Sequence, residues 1–227
     1  MNTIAVIPCY NAGKTIKKVL NETNDWFDGD IICCDDFSTD NTREIINDLN
    51  VELISHQKNS GYGANQKSLY NRAIEKNVDI VVMIHGDYQY TPKLAETMSD
   101  MIRTGLFDVV FGSRILSGSS PLKNGMPLIK FVINRLLTLF QNLILGSKLS
   151  EFHSGYRAYS IDFLKNVPFN SFNDDFSFDN QMLVWAIKHR FIIGEISCPT
   201  KYDSDSSSIG LIKGSKYALQ CIIGTFY

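Results

Sequence analysis

Apolar residues in the first half of the chain fall into short unbroken runs at 4–8, 31–35, 51–55, 80–84 and 109–112. Between these runs, at 15–23, 39–49, 64–76 and 92–104, they recur every three or four positions instead. Short β-branched runs bounded by turn formers predict buried strands, and the longer period predicts helices. Capping signals agree with that division. Thr91 precedes Pro92 at a first helical position, and Thr39 or Asp40 can cap the second helix. Strands apolar on both faces and separated by helices imply an α/β fold, with a mostly parallel central sheet and helices on both faces. Such a sheet takes its ligands beyond the carboxyl ends of the strands, where strand order reverses.

The second half carries a long apolar segment, 126–145, interrupted by Lys130, Asn134, Arg135, Gln141 and Asn142. A membrane span needs roughly 20 predominantly apolar residues, and these interruptions argue against one. The polar residues recur at helical spacing, which leaves two readings. The segment is either an interfacial helix lying apolar side down or a buried connecting helix. A further apolar run, 218–226, follows Lys213 and Lys216. The expected organisation is a main domain over 1–210 and an amphipathic tail over 211–227.

Composition narrows the picture. At 227 residues and 44% hydrophobic content, the chain can bury one substantial core. A net charge of -2 gives no electrostatic reason to expect nucleic acid. The five cysteines, two adjacent and none in CxxC spacing, suggest neither a disulfide framework nor a zinc site. Cys9, Cys33 and Cys198 read as small buried hydrophobes. A strand-like run opens the chain with no room for a signal peptide, so a cytoplasmic protein is expected.

Three strand ends and one loop carry candidate chemistry. After the first strand come Pro8, Tyr10, Asn11 and Gly13; after the second, Asp35 and Asp36. A free carboxylate there could accept from a base edge or a ribose hydroxyl, or simply cap the next helix. The loop 59–65 (NSGYGAN) opens a helix whose N-terminus offers N–H groups to an anion. The run 80–84 delivers His85, Gly86, Asp87 and Gln89 onto one short turn. In an extended segment, side chains two apart share a face. Oxygen ligands gathered there suit a hard divalent cation that also holds phosphate.

In order and spacing, VIPCYN, DDFSTDNT, NSGYGAN, HGDYQY, FGSR (111–114), EFHSGYRAYS (151–160) and FSFDNQML (176–183) resemble glycosyltransferase family 2 over nearly the whole chain. The likeness is greatest to the branch of dolichyl-phosphate mannose synthases and bacterial polyprenyl-phosphate glycosyltransferases. The resemblance implies a GT-A (Rossmann-like) fold and an inverting hexosyltransferase that uses Mn2+ or Mg2+. Its expected partners are a nucleotide sugar, a polyprenyl phosphate acceptor and peripheral contact with the inner face of the cell membrane. Alternatives are transfer to a sugar hydroxyl of a cell-surface glycan, or a degenerate nucleotide-binding scaffold.

Residue by residue, the resemblance assigns Asp87 and Gln89 to the metal. His85 stands where the family's DADxQ pattern has its first Asp, so it either ligates or packs. Pro8, Tyr10, Asn11, Asp36, Gly63, His85, Gly86 and Asp87 would bind the nucleotide sugar, with Arg114 neutralising phosphate. Ala12 stands where the family usually has Glu. Ser154, Gly155, Arg157 and Lys201 would face the acceptor, although an ion pair with Glu151 is a rival role for Arg157. An acidic residue often stands where this chain has Gln181, which leaves Asp179 as the candidate base. A phosphate acceptor, already ionised, needs none. The serine-rich stretch 203–208 reads as a mobile flap or a solvated linker.

Overall fold

The computed structural model describes residues 1–118, 120–200 and 211–226. Its strands are β1 (Thr3–Cys9), β2 (Asp30–Asp35), β3 (Glu52–Ser55), β4 (Ile80–Met83), β5 (Val109–Ser113), β6 (Arg157–Ser160) and β7 (Ile193–Ser197). They form one sheet in the order β3-β2-β1-β4-β6-β5-β7. Its helices are α1 (Ile16–Trp26), α2 (Thr42–Asp48), α3 (Tyr62–Glu75), α4 (Ala95–Arg103), α5 (Ser120–Lys123), α6 (Leu128–Leu145), α7 (Ile161–Asn166), α8 (Phe178–Lys188) and α9 (Leu211–Gly224).

All five expected strands and all four expected helices are present, with shifted boundaries that have local causes. Asp40 accepts the Thr42 N–H at 3.1 Å and the Gly13 N–H at 2.9 Å, so the chain turns before α2 begins. Thr91 Oγ1 accepts the Lys93 N–H at 3.4 Å, and the turn Pro92–Leu94 is a 3-10 helix that runs into α4.

Alternate residues of the central strands supply the two halves of the core. Ala5, Ile7, Val82 and Ile84 pack with α1 and α4 on one face. Ile4, Val6, Val81 and Met83 pack with α3, α7 and α8 on the other. The five cysteines are buried free thiols.

β6 runs antiparallel between β4 and β5, pairing Arg157 with Met83 and with Phe111. Its amino end therefore emerges beside the carboxyl ends of β4 and β5. The loop 151–156 is thereby delivered to the rim where the ligand-facing ends of the parallel strands gather.

Candidate active site

Two adjacent cavities open at this rim. The first, about 1010 Å³, lies beyond β1, β2 and β4 and is lined by Pro8, Tyr10, Asn11, Asp36, His85, Gly86 and Asp87. The expected nucleotide-side residues are thus brought together, with the exceptions of Gly63 and of Arg114, which lines the second cavity. Asn11 laces two loops into this rim: its N–H donates to Ser38 Oγ at 2.8 Å, and its Oδ1 accepts the Thr39 N–H at 2.9 Å.

Neither member of the carboxylate pair is free. Arg43 Nε donates to Asp35. Asp36 takes the Ser60 N–H at 2.8 Å, the Gly61 N–H at 2.9 Å and a bond with His56 Nδ1 at 2.7 Å. A carboxylate offers about four acceptor sites, so Asp36 has roughly one left for a ligand.

These bonds correct the expectation for the glycine loop. Gly63 donates its N–H to Asp174 O at 2.8 Å, so the N–H groups of Ser60, Gly61 and Gly63 are all committed within the protein. A Cβ on Gly63 would lie 2.4 Å from Asn173 O. The glycine therefore admits the 173–174 loop, not a phosphate.

The turn after β4 also departs from the sequence reading. β4 ends at Met83, and Tyr88 has φ 58, so the segment is a tight turn and not an extended strand. Side chains two apart consequently separate. Asp87 lines the first cavity, Gln89 lines the second, and His85 lines both. Among the described residues, no cluster of three or more His, Cys, Asp or Glu side chains could hold a metal. One carboxylate and one imidazole on the donor side fit a cation that takes most of its ligands from a diphosphate and water. They do not make an all-protein cage.

A hydrogen-bonded chain spans the seam between the cavities. Tyr62 OH donates to Asp179 Oδ2 at 2.7 Å and lies 3.3 Å from His85 Nε2. Gln66 Nε2 donates to Asp179 Oδ1 at 3.2 Å. Burial, followed by the negative charge of Asp179, raises the Tyr62 pKa well above its ordinary value, so the phenol keeps its proton. Tyr62 stacks on Phe176, with ring centroids 5.1 Å apart, and His85 packs on Tyr90 at 4.9 Å. A Cβ at Gly155 would stand 2.4 Å from His85 Nε2 and 2.7 Å from Tyr62 OH.

The second cavity, about 730 Å³, combines Arg114, Lys130, His153 and Asp179 with apolar residues of α6 and α9. Arg114 is held by Glu151: its Nε donates to Oε1 at 2.8 Å and its backbone N–H to Oε2 at 2.9 Å. Asn134 Nδ2 adds a bond to Oε1 at 2.8 Å. Burial pushes the Glu151 carboxyl up, but the Arg114 charge and these hydrogen bonds outweigh it and hold it below its usual value. Lys130, partly enclosed, has its pKa lowered by burial and then by Arg114.

Arg157 does not face the acceptor side as expected, nor does it pair with Glu151. Fully buried, it donates to the carbonyls of Ser154 at 2.9 Å, Asp179 at 2.6 Å and Phe152 at 3.2 Å. It is a brace that ties the 151–156 loop to α8. Ser154, buried beside it, donates its hydroxyl to Gly112 O. Of the expected acceptor group, Gly155 lines the second cavity. Lys201 and the 203–208 stretch lie outside the described residues.

α6 is amphipathic with its polar side turned inward. Asn134, Thr138 and Gln141 are buried, whereas Leu128, Val132, Leu136, Leu139 and Leu143 are exposed. Gln141 exchanges hydrogen bonds with Asn180, both at 3.1 Å. By length and composition alone α6 could cross a membrane, with 18 residues and a mean hydropathy of 1.5.

The family model described as glycosyl transferase family 2 matches residues 4–167. The chain belongs to that family. It is 30% identical over 223 residues to the UDP-N-acetylglucosamine–dolichyl-phosphate N-acetylglucosaminyltransferase of Methanococcus voltae, covering 90% of this chain and 88% of the relative. It is 24% identical to the undecaprenyl-phosphate mannosyltransferase of Micrococcus luteus, covering 75% of this chain and 71% of that one. The glucosyl-3-phosphoglycerate synthase of Mycobacterium tuberculosis, solved with Mn2+, UDP and glucosyl-3-phosphoglycerate, superposes with a TM-score of 0.75 at 19% identity. That superposition covers 99% of this chain and 78% of the synthase, and it establishes the GT-A fold. The protein is a glycosyltransferase.

Several residues that build this family 2 site were not assigned roles from the sequence. Tyr62 had a signal, since it stands inside the glycine loop. Glu151 also had one, as the first residue of a quoted motif, but it was matched with the wrong arginine. His56, Gln66 and Asn134 carried none. Each acts on a partner at least 17 positions away in the chain, through a contact no local pattern encodes.

Proposed function

We propose that this enzyme transfers a sugar, with inversion, from a nucleotide-diphosphate donor to a polyprenyl phosphate at a membrane surface. The observation that carries this reading is the second cavity. Its walls are apolar residues of α6 and α9, and its cations, Arg114 and Lys130, are set beside His85 and Asp179. An acceptor with a phosphate head and a hydrocarbon body matches that combination. The exposed leucines of α6 continue the apolar surface outward, with Leu219, Ile223 and Phe226 beside them. A soluble sugar hydroxyl would use neither feature. The named activities of the archaeal and Micrococcus relatives support the same class of acceptor.

The first cavity suits the nucleoside diphosphate, with Asp36, Tyr10 and Asn11 at its nucleoside end and Asp87 at its diphosphate end. Asp87, together with His85, would hold a divalent cation, which when bound neutralises the departing diphosphate. Arg114 and Lys130 hold the acceptor phosphate by charge. That phosphate is already ionised near neutral pH and attacks the anomeric carbon directly, breaking the bond to the diphosphate on the opposite face. No base is required, in keeping with the prior commitment of the Asp179 carboxylate to Tyr62 and Gln66. The low dielectric of the apolar walls strengthens these charge interactions.

Thermal melting against UDP, GDP, CDP and dTDP, each with and without Mn2+, tests the donor half of this reading. A nucleotide at 100 times its dissociation constant should add about 2.7 kcal/mol of stability. One base, in a metal-dependent manner, is expected to raise the melting temperature. No shift in any condition would contradict a working donor site.

A further inference from the structure

The hydroxyl of Tyr62 has one proton and two neighbours. Asp179 takes a donor on each oxygen: Gln66 Nε2 at 3.2 Å on Oδ1 and Tyr62 OH at 2.7 Å on Oδ2. Tyr70 OH donates to Gln66 Oε1 at 2.7 Å, which fixes the direction of the Gln66 amide. The Tyr62 proton therefore goes to Asp179. At its other contact, 3.3 Å to His85 Nε2, the phenolic oxygen can only accept, and Nε2 must carry a proton. Gly155 walls the same edge of the ring, since a Cβ there would be 2.4 Å from Nε2 and 2.9 Å from Cε1. His85 Nδ1 has no hydrogen-bond partner among the described residues.

We propose that Tyr62 and Asp179 are positioning residues that hold the His85 imidazole in its Nε2–H form, leaving the Nδ1 lone pair to face the cation that accompanies the donor diphosphate. The inference rests on the proposed transferase reading, yet it concerns a tautomer that exists before any substrate binds. It also gives Asp179 a different task from that of a base. Asp179 acts on His85 through Tyr62, which lies 117 positions from it in sequence, and it leaves the acceptor alone.

Long-range proton–nitrogen NMR of histidine-labelled enzyme reads the tautomer directly, with the His85 signals assigned by their loss in His85→Asn. Nε2 is expected in the protonated, pyrrole-like range and Nδ1 in the unprotonated, pyridine-like range. Tyr62→Phe, which keeps the ring stacked on Phe176, is expected to mix the two tautomers and to raise the Mn2+ concentration needed for half of the nucleotide-induced melting shift. In transfer assays Tyr62→Phe and Asp179→Asn should each lower kcat by about 10- to 100-fold. The double variant should be no worse than the more impaired single one, because one relay is broken either way. An Nδ1–H tautomer in the native enzyme would overturn the proposal. So would kcat losses that multiply in the double variant, which would give Asp179 a role of its own. If Tyr62→Phe fails to fold, the native tautomer and Asp179→Asn still decide. A failure to transfer to polyprenyl phosphate, with the tautomer as stated, would count against the acceptor and not against the relay.

Discussion

Arg114 lies across the fully buried carboxylate of Glu151, binding it through both its side chain and its own backbone N–H. A residue assigned to phosphate is thus also the counter-ion of a charge that has no access to water. This double commitment holds the guanidinium in place before substrate arrives, which lowers the ordering cost of binding.

Arg114→Ala is expected to cost about 3–5 kcal/mol, because it strands the Glu151 charge. For a chain of this size that is a fall of roughly 6–20 °C in melting temperature. Arg114→Met combined with Glu151→Leu should recover much of the stability while transfer stays lost. Calorimetry and an activity assay on the two variants check both parts.

His153 gives the fold a distinct acid sensitivity. Burial pushes its pKa down to about 4, with Nδ1 bonded to Tyr217 OH at 2.8 Å. A histidine whose folded pKa lies below its unfolded value of about 6.5 takes up a proton on unfolding in the interval between them. Its stabilisation is complete above the unfolded value and is lost as pH falls from about 6.5 toward 4, by roughly 1–3 kcal/mol. Melting curves across that interval should flatten in His153→Gln. An unchanged slope would contradict this assignment.

Leu136 and Leu139 stand on the outward face of α6, 61% and 67% exposed. Replacing both with Glu is expected to reduce flotation with mixed anionic vesicles by at least about tenfold. The nucleotide-induced melting shift should be unaffected, since neither residue touches the first cavity. Equal flotation of native and variant enzyme would remove α6 from the membrane account.

Gly155→Ala tests how tightly the seam is built. The added methyl would meet His85 Nε2 and Tyr62 OH at 2.4 and 2.7 Å, closer than real Cβ contacts allow. Turnover is expected to drop by about a hundredfold or more, in keeping with the cost of misplacing the bound reactants by about 1 Å. The fold should survive, because the crowded groups are side-chain ends. Circular dichroism and kcat separate the two outcomes.

What the sequence disclosed follows the range of the forces involved. The strands, the helices and the rim residues Pro8, Tyr10, Asn11 and Asp36 were legible because apolar period and turn chemistry are local. The partner of Glu151 was not legible. Two arginines lie within reach, and the choice between them depends on β6 running antiparallel to β5. Arg157 was misread because its partners are backbone carbonyls, which have no sequence signature. The inward polar side of α6 makes sense only once Glu151 and Asn180 are seen to face it. The same limit applies to His85, whose orientation depends on Tyr62 and Asp179 from two distant helices.

The central claim is the acceptor. Enzyme with its cognate labelled nucleotide sugar and a divalent cation should be offered a polyprenyl phosphate, the corresponding polyprenol, and a soluble phosphate monoester, with the anomeric configuration of any product read by NMR. The account predicts label in the organic phase with the polyprenyl phosphate only, metal-dependent and inverted relative to the donor. Equal transfer to the polyprenol or preferential transfer to the soluble monoester would contradict it, as would retained configuration.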